Sequence, residues 1–133
     1  VEPHKLRVLV VDDEDLCRWA SHQLLARSGH DVEEAASGEA ALGVVEHWTP
    51  DAILVDIGLP GMDGIEFLRR VRRQQPLVRS IVMTAHATLQ TAVAAIRAGA
   101  VDFLVKPLDP AELESALARV NVRRPEGQAH QAA

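Results

Sequence analysis

The sequence predicts an α/β fold in which a five-stranded parallel sheet carries helices on both faces, and three observations predict it. Strand-like and helix-like segments alternate five times without an antiparallel interruption, the pattern of consecutive βα units. The first of the strand-like segments is a continuous Val/Leu run, as expected of a strand buried on both faces. Four runs also end in a polar residue: RVLVV runs into Asp12-Asp13, AILV into Asp56, SIVM into Thr84, and VDFLV into Lys106-Pro107. In parallel strands these polar residues all emerge at one sheet edge, where open α/β folds hold their ligands.

Taken in order, Leu6 to Val11 forms the first strand. From Glu14 to Ser28 the apolar positions Leu16, Trp19, Ala20, Leu24 and Leu25 follow helical spacing, and Gly29 supplies the stop. Asp31 to Ala36 is a more polar strand, placed at the sheet edge. Ser37 caps a helix from Gly38 to His47, with Ala41, Leu42 and Val45 inward. Pro50 breaks the chain before the strand Ala52 to Val55. Pro60, Gly61 and Gly64 then make a turn-rich loop that exposes backbone carbonyls. A third helix, Gly64 to Arg73, carries Ile65, Leu68 and Val71 on its apolar side. After Pro76, Ser80 to Met83 is the fourth strand, and Leu89, Val93 and Ile96 mark a fourth helix ending near Gly99. Asp102 to Val105 is the fifth strand. The last helix runs from Asp109 to Val122, with Asp109 as cap, Pro110 in the first turn, and Leu113, Leu117 and Val120 on the core side.

Bulk properties remove several classes of function. A chain of 133 residues suits one domain with a sizeable core. The net charge of -5 argues against direct nucleic-acid binding. One cysteine, Cys17, cannot form an internal disulfide, which fits a reducing compartment. No apolar stretch is long enough to span a bilayer, and no signal peptide is evident, so a cytoplasmic location is expected. The start at Val1 and the low-complexity stretch 123–133 read as the edges of one domain from a longer protein.

The polar strand ends suggest a chemistry. Three carboxylates repel one another unless a hard cation intervenes, and a lysine adds a second positive charge. Together with a hydroxyl, the set reads as a divalent-metal and phosphoryl site. Taken singly, each residue has an ordinary explanation: helix caps for Asp12-Asp13, a loop residue for Asp56, a solvated strand end for Lys106, a β-former for Thr84, core for Phe103. Jointly, those explanations require four coincidences of spacing.

VVDDE at 10–14, LVDIGLPGMDG at 54–64, MTAH at 83–86 and GAVDFLVKP at 99–107 resemble, in order and spacing, the receiver domain of two-component response regulators. The likeness covers residues 5–122 and implies the doubly wound, flavodoxin-like (βα)5 fold with strand order 2-1-3-4-5. It implies that Asp56 is the phosphoacceptor, taking a phosphoryl group from the phosphohistidine of a sensor histidine kinase. Asp13 would bind Mg²⁺ directly (Mn²⁺ as a substitute) and Asp12 partly through water, with Asp56 and the backbone carbonyl of Gly58 as further ligands. Thr84 and Lys106 would hold the phosphoryl oxygens. Phe103 would be the switch aromatic, occupying the inward position more readily because it lacks a hydroxyl. The Lys106-Pro107 bond resembles the family's cis peptide. The domain would assist its own phosphorylation and dephosphorylation without being an enzyme in its own right.

Other candidates carry less. The six histidines, at 4, 22, 30, 47, 86 and 130, show no metal-site spacing and are expected at the surface, with His86 at the mouth of the site beside Gly58. Arg69, Arg70, Arg72 and Arg73 are expected on a solvated helix face. Cys17 is expected to be structural. The fourth helix, fifth strand and fifth helix form the usual output face of receivers, here Gln90, Ala94, Arg97, Ala98, Asp102, Glu112, Ser115 and Arg119, a mixture that suits a symmetric homodimer. The stretch from Val82 to Pro110 is similar to receivers of the nitrogen-regulation type, which precede an ATPase that activates sigma-54 transcription. No G-x-x-x-x-G-K-[ST] loop occurs in the chain, so an output domain would lie outside it. Two other readings compete: a phosphorylation-independent receiver-like interaction module, and a hydrolase using Asp56 on small phosphate esters. The second usually needs an acid two residues after its nucleophile, where this chain has Gly58.

Overall fold

In a computed structural model of the protein, residues 5–123 are described, with only the backbone given for the last three. Five strands, β1 (Arg7–Val11), β2 (Asp31–Ala35), β3 (Ala52–Asp56), β4 (Arg79–Thr84) and β5 (Asp102–Val105), alternate with five helices. These are α1 (Asp15–Arg27), α2 (Gly38–His47), α3 (Gly64–Gln74), α4 (Leu89–Arg97) and α5 (Pro110–Arg123). The strands form one parallel sheet in the order β2-β1-β3-β4-β5, as expected, with the polar β2 at its edge. His4, His130 and the tail beyond Arg123 lie outside the described residues. Among the described residues no helix is long and apolar enough to cross a membrane.

Side chains alternate across each strand, so the sheet feeds two cores. Leu9, Val11, Ile53 and Val55 pack with Ala41 and Val45 of α2, Phe67, Leu68 and Val71 of α3, and Ala95 and Ala98 near α4. Val8, Val10, Leu54, Ile81 and Met83 pack on the opposite face with Leu25 of α1 and Leu113, Leu117 and Val120 of α5. The caps expected at Ser37 and Asp109 are present: Ser37 Oγ accepts from Ala40 N–H, and Asp109 Oδ1 accepts from Ala111 N–H.

Two helices turn a different face inward from the one their aliphatic spacing predicts. On α1, Leu16 and Trp19 are 75% and 57% exposed and Ala20 is exposed, while Ser21 and Leu25 are buried. Arg18 explains part of this orientation. Its guanidinium donates to the Asp12 carbonyl at 2.7 Å and pairs with Asp15 and Glu34, which fixes the rotation of the helix against β1 and β2. On α4, Leu89, Val93 and Ile96 lie outside at 81%, 39% and 54% exposure, and the alanines Ala95 and Ala98 are buried. Ala98 therefore does not belong to the exposed output face. His30 also departs from expectation: it is buried, its Nδ1 accepting from Leu6 N–H at 3.1 Å, which joins the α1–β2 turn to the start of β1.

Candidate functional site

Register places the site. Val11 pairs with Val55, Asp56 with Met83, and Thr84 with Val105, so the residues that follow or end these strands lie side by side. The chain leaves β1 toward β2 on one side and returns to β3 on the other. Asp12-Asp13 and Asp56 therefore flank the crevice where strand order reverses.

Lys106 joins the two buried carboxylates. Its Nζ donates to Asp12 Oδ2 at 2.7 Å and to Asp56 Oδ2 at 2.6 Å, and lies 3.6 Å from Glu14 Oε1. Burial opposes the charge of this ammonium, but its hydrogen bonds to both carboxylates outweigh that cost and hold it above the usual lysine range. Asp12 is fully buried, and desolvation raises its carboxyl above the usual range, against the pull of Lys106 and the Glu14 N–H that donates to its Oδ1. Asp13 is exposed beside them. Carboxylate oxygens of Asp12, Asp13 and Asp56 all lie within 4.8 Å of one another, a spacing one oxygen-liganded cation can span.

The remaining predicted residues converge on the same edge. Asp56 Oδ1 accepts from Gly58 N–H at 2.8 Å, so Gly58 meets Asp56 through its amide. Thr84 is buried, and its Oγ1 accepts from His86 N–H at 3.1 Å, which leaves the hydroxyl proton able to donate elsewhere. His86 is exposed at this mouth. The Lys106-Pro107 peptide is cis. Phe103 is half-buried, packed on the core beneath and bordering a groove formed with Asp102, Glu112 and Arg119.

The loop after Asp56 is built from close backbone approach. A Cβ at Gly64 would stand 2.7 Å from Ile57 Cα and 2.8 Å from the Asp56 carbonyl oxygen, so no other residue fits without a backbone shift. Asp63 caps α3 by accepting from Glu66 N–H, and Gly61 takes φ +73° beside Glu39.

Two neighbours were not assigned roles from sequence. Glu14 extends the acidic set toward Lys106, and its place within VVDDE was the available signal. Arg18 fixes the Asp12 backbone, and nothing in its helical position distinguishes it from a surface arginine. Cys17 lies half-buried near the same edge with its thiol pushed up chiefly by burial, which disfavours the reactive thiolate.

A parallel 2-1-3-4-5 sheet with an acidic cluster and a lysine at its switch point defines a receiver class of protein. The family described as the response regulator receiver domain matches residues 8–118, and the chain belongs to it. Among curated relatives, it is 40% identical over 102 residues to the DNA-binding transcriptional regulator NtrC of Salmonella typhimurium, covering 77% of this chain and 22% of that protein. It is 41% identical over 107 residues to the regulatory protein AtoC of Escherichia coli, covering 80% and 23%. The chain thus spans about a quarter or less of the length of these relatives. Among solved structures, a putative response regulator from Chloroflexus aurantiacus superposes with TM-score 0.84 at 34% identity, covering 90% of this chain and all of that one. NtrX from Brucella abortus gives 0.84 at 32%, covering 91% and 28%.

Proposed function

We propose that this receiver domain accepts a phosphoryl group on Asp56 from a sensor histidine kinase and that the modification alters contacts made by α4, β5 and α5. The observation that carries this reading is the Lys106 ammonium held between Asp12 and Asp56, with Asp13 open to solvent alongside. An Asp56 carboxylate oxygen attacks the phosphorus of a phosphohistidine. The P–O bond forms as the P–N bond breaks, and the imidazole leaves with the electron pair. The product is an acyl phosphate. Lys106 neutralises charge on the phosphoryl oxygens, and the Thr84 hydroxyl donates to one of them.

Asp12, Asp13 and Asp56 suit Mg²⁺, with Mn²⁺ as a substitute and the Gly58 carbonyl as a further ligand. When bound, the ion supplies charge neutralisation for the transferring group. On this reading the domain, residues 5–122, assists its own modification and is not a free-standing enzyme. It works in the cytoplasm on behalf of an output module, for which transcription control is the reading favoured by the NtrC and AtoC relatives.

The test is incubation with Mg²⁺ and acetyl phosphate followed by intact mass. A single phosphate adduct that disappears in Asp56→Asn is expected. No adduct on the parent would favour a phosphorylation-independent module, and an undiminished adduct on Asp56→Asn would place the chemistry elsewhere. Light scattering with and without beryllium fluoride then reads whether those contacts include a homodimer; equal masses count against one.

A further inference from the structure

The geometry points to a second ligand site at the opposite end of the sheet, a cavity between α3, the start of β4 and the end of α4 that takes a small organic anion. Its volume is about 520 Å³, within the range of roughly 300–1,000 Å³ typical of small-molecule sites. Leu68 and Val71 of α3, Val78, and Ile96 of α4 supply aliphatic groups to a wall whose accessible surface is otherwise polar. The polar side chains are Arg72, Arg79 and Ser80, and among the described residues no carboxylate lines the cavity.

Both arginines are placed rather than merely present. Among the described residues the buried Nε of Arg79 has no acceptor, a guanidinium donor that folding has desolvated. Arg79 lines the cavity, and an oxyanion there gives the accessible part of its guanidinium the charge-assisted partner that arginine geometry favours. Arg72 lies across Gly99: a Cβ there would meet its Cδ and Nη1 at 3.1 Å, and Gly99 itself has φ +106°. The absent side chain lets the arginine lie flat against the end of α4, at the rim. Arg69 and Arg97 line the adjoining α3–α4 groove, so the positive field extends beyond the cavity although the chain as a whole is acidic. Aliphatic groups from α3 and α4 beside two arginines suit an anion carried on an apolar or aromatic body, such as an aryl or nucleoside phosphate, over a bare inorganic anion. The site is remote from the Asp56 cluster, and its arginines take no part there.

Amide NMR titration of the isotopically labelled protein tests this, with phenyl phosphate, AMP and inorganic phosphate as probes. Phenyl phosphate or AMP is expected to saturate near ~1 mM, with shifts concentrated at residues 71–80 and 98–101. Inorganic phosphate is expected to bind about tenfold more weakly. Arg79→Gln and Arg72→Gln are each expected to weaken the organic probes about tenfold, with the rest of the spectrum unchanged. If either variant loses spectral dispersion, its Arg→Lys counterpart replaces it, which keeps the charge but not the planar fork and is expected to weaken binding in the same direction. Absence of saturation for both organic probes, shifts scattered over the surface, equal affinity for inorganic phosphate, or undiminished binding in the arginine variants would each overturn the proposal.

Discussion

Replacing Asp13 with asparagine should stabilise the metal-free protein while weakening its response to Mg²⁺. Asp12 and Asp56 offer carboxylate oxygens within 4.8 Å of Asp13, and the Lys106 ammonium lies between those two. Setting one carboxylate against the ammonium leaves about one net negative charge facing Asp13. At that separation and a water-like dielectric, chosen because Asp13 is exposed, the repulsion is about 1 kcal/mol, less at high salt. For a domain of this size that corresponds to a rise in Tm of about 3–5 °C in EDTA. The parent should gain about 1.4 kcal/mol at a Mg²⁺ concentration near ten times Kd, because the folded form alone has the three carboxylates assembled. Asp13→Asn should lose most of that increment. Thermal unfolding followed by circular dichroism, with EDTA and across a Mg²⁺ series, measures both effects. An unchanged or lower Tm in EDTA, or a Mg²⁺ increment equal to the parent's, would refute the reasoning.

Three further outcomes are expected. Lys106→Met leaves Asp12 buried without its cation and should cost about 3 kcal/mol in urea unfolding at neutral pH, the lower end for a broken buried pair because Asp56 keeps 13% of its side chain exposed. The pH dependence of that loss has a definite sign. Because the folded pKa of Lys106 is raised, its contribution is fully present below the ordinary lysine value and lost as pH rises through the higher folded one. The gap between parent and variant should therefore be smallest in acid, where the carboxylates take up protons, widest from neutrality to the ordinary lysine range, and should close in stronger alkali. Equal curves at all pH values would contradict this. Gly64→Ala drives a methyl into the Ile57 and Asp56 backbone; it should cost about 2 kcal/mol and reduce the yield of acetyl phosphate adduct by displacing the loop after Asp56, both read on one preparation by denaturation and intact mass.

Sheet order and the gathering of Asp12, Asp13, Asp56, Thr84 and Lys106 were legible because strands carry their own direction. A parallel strand that ends in a polar residue must present it at the shared edge, and pairing register does the rest. Helix faces were less legible for a physical reason. An amphipathic pattern identifies a stripe, but α1 and α4 each carry two stripes, and the one that packs is chosen by tertiary fit. In α1 the choice follows Arg18, whose partners are Asp12, just after β1, and Glu34 of β2. The burial of His30 depends on Leu6 N–H, a partner that sequence distance conceals.

The inverted face of α4 has an energetic meaning. A helix held by Ala95 and Ala98 gains only about 0.8 kcal/mol for each methyl it buries, whereas Leu113, Leu117 and Val120 of α5 each gain roughly 1.5–3 kcal/mol. α4 is thus the lightly moored helix of the pair, with a low opening free energy beside a firmly anchored neighbour. Its larger aliphatic groups are already in water. Rolling the helix by part of a turn would strip little apolar contact from the core while re-aiming a Leu-Val-Ile stripe, so the molecule can change its outward appearance at small expense to its own stability.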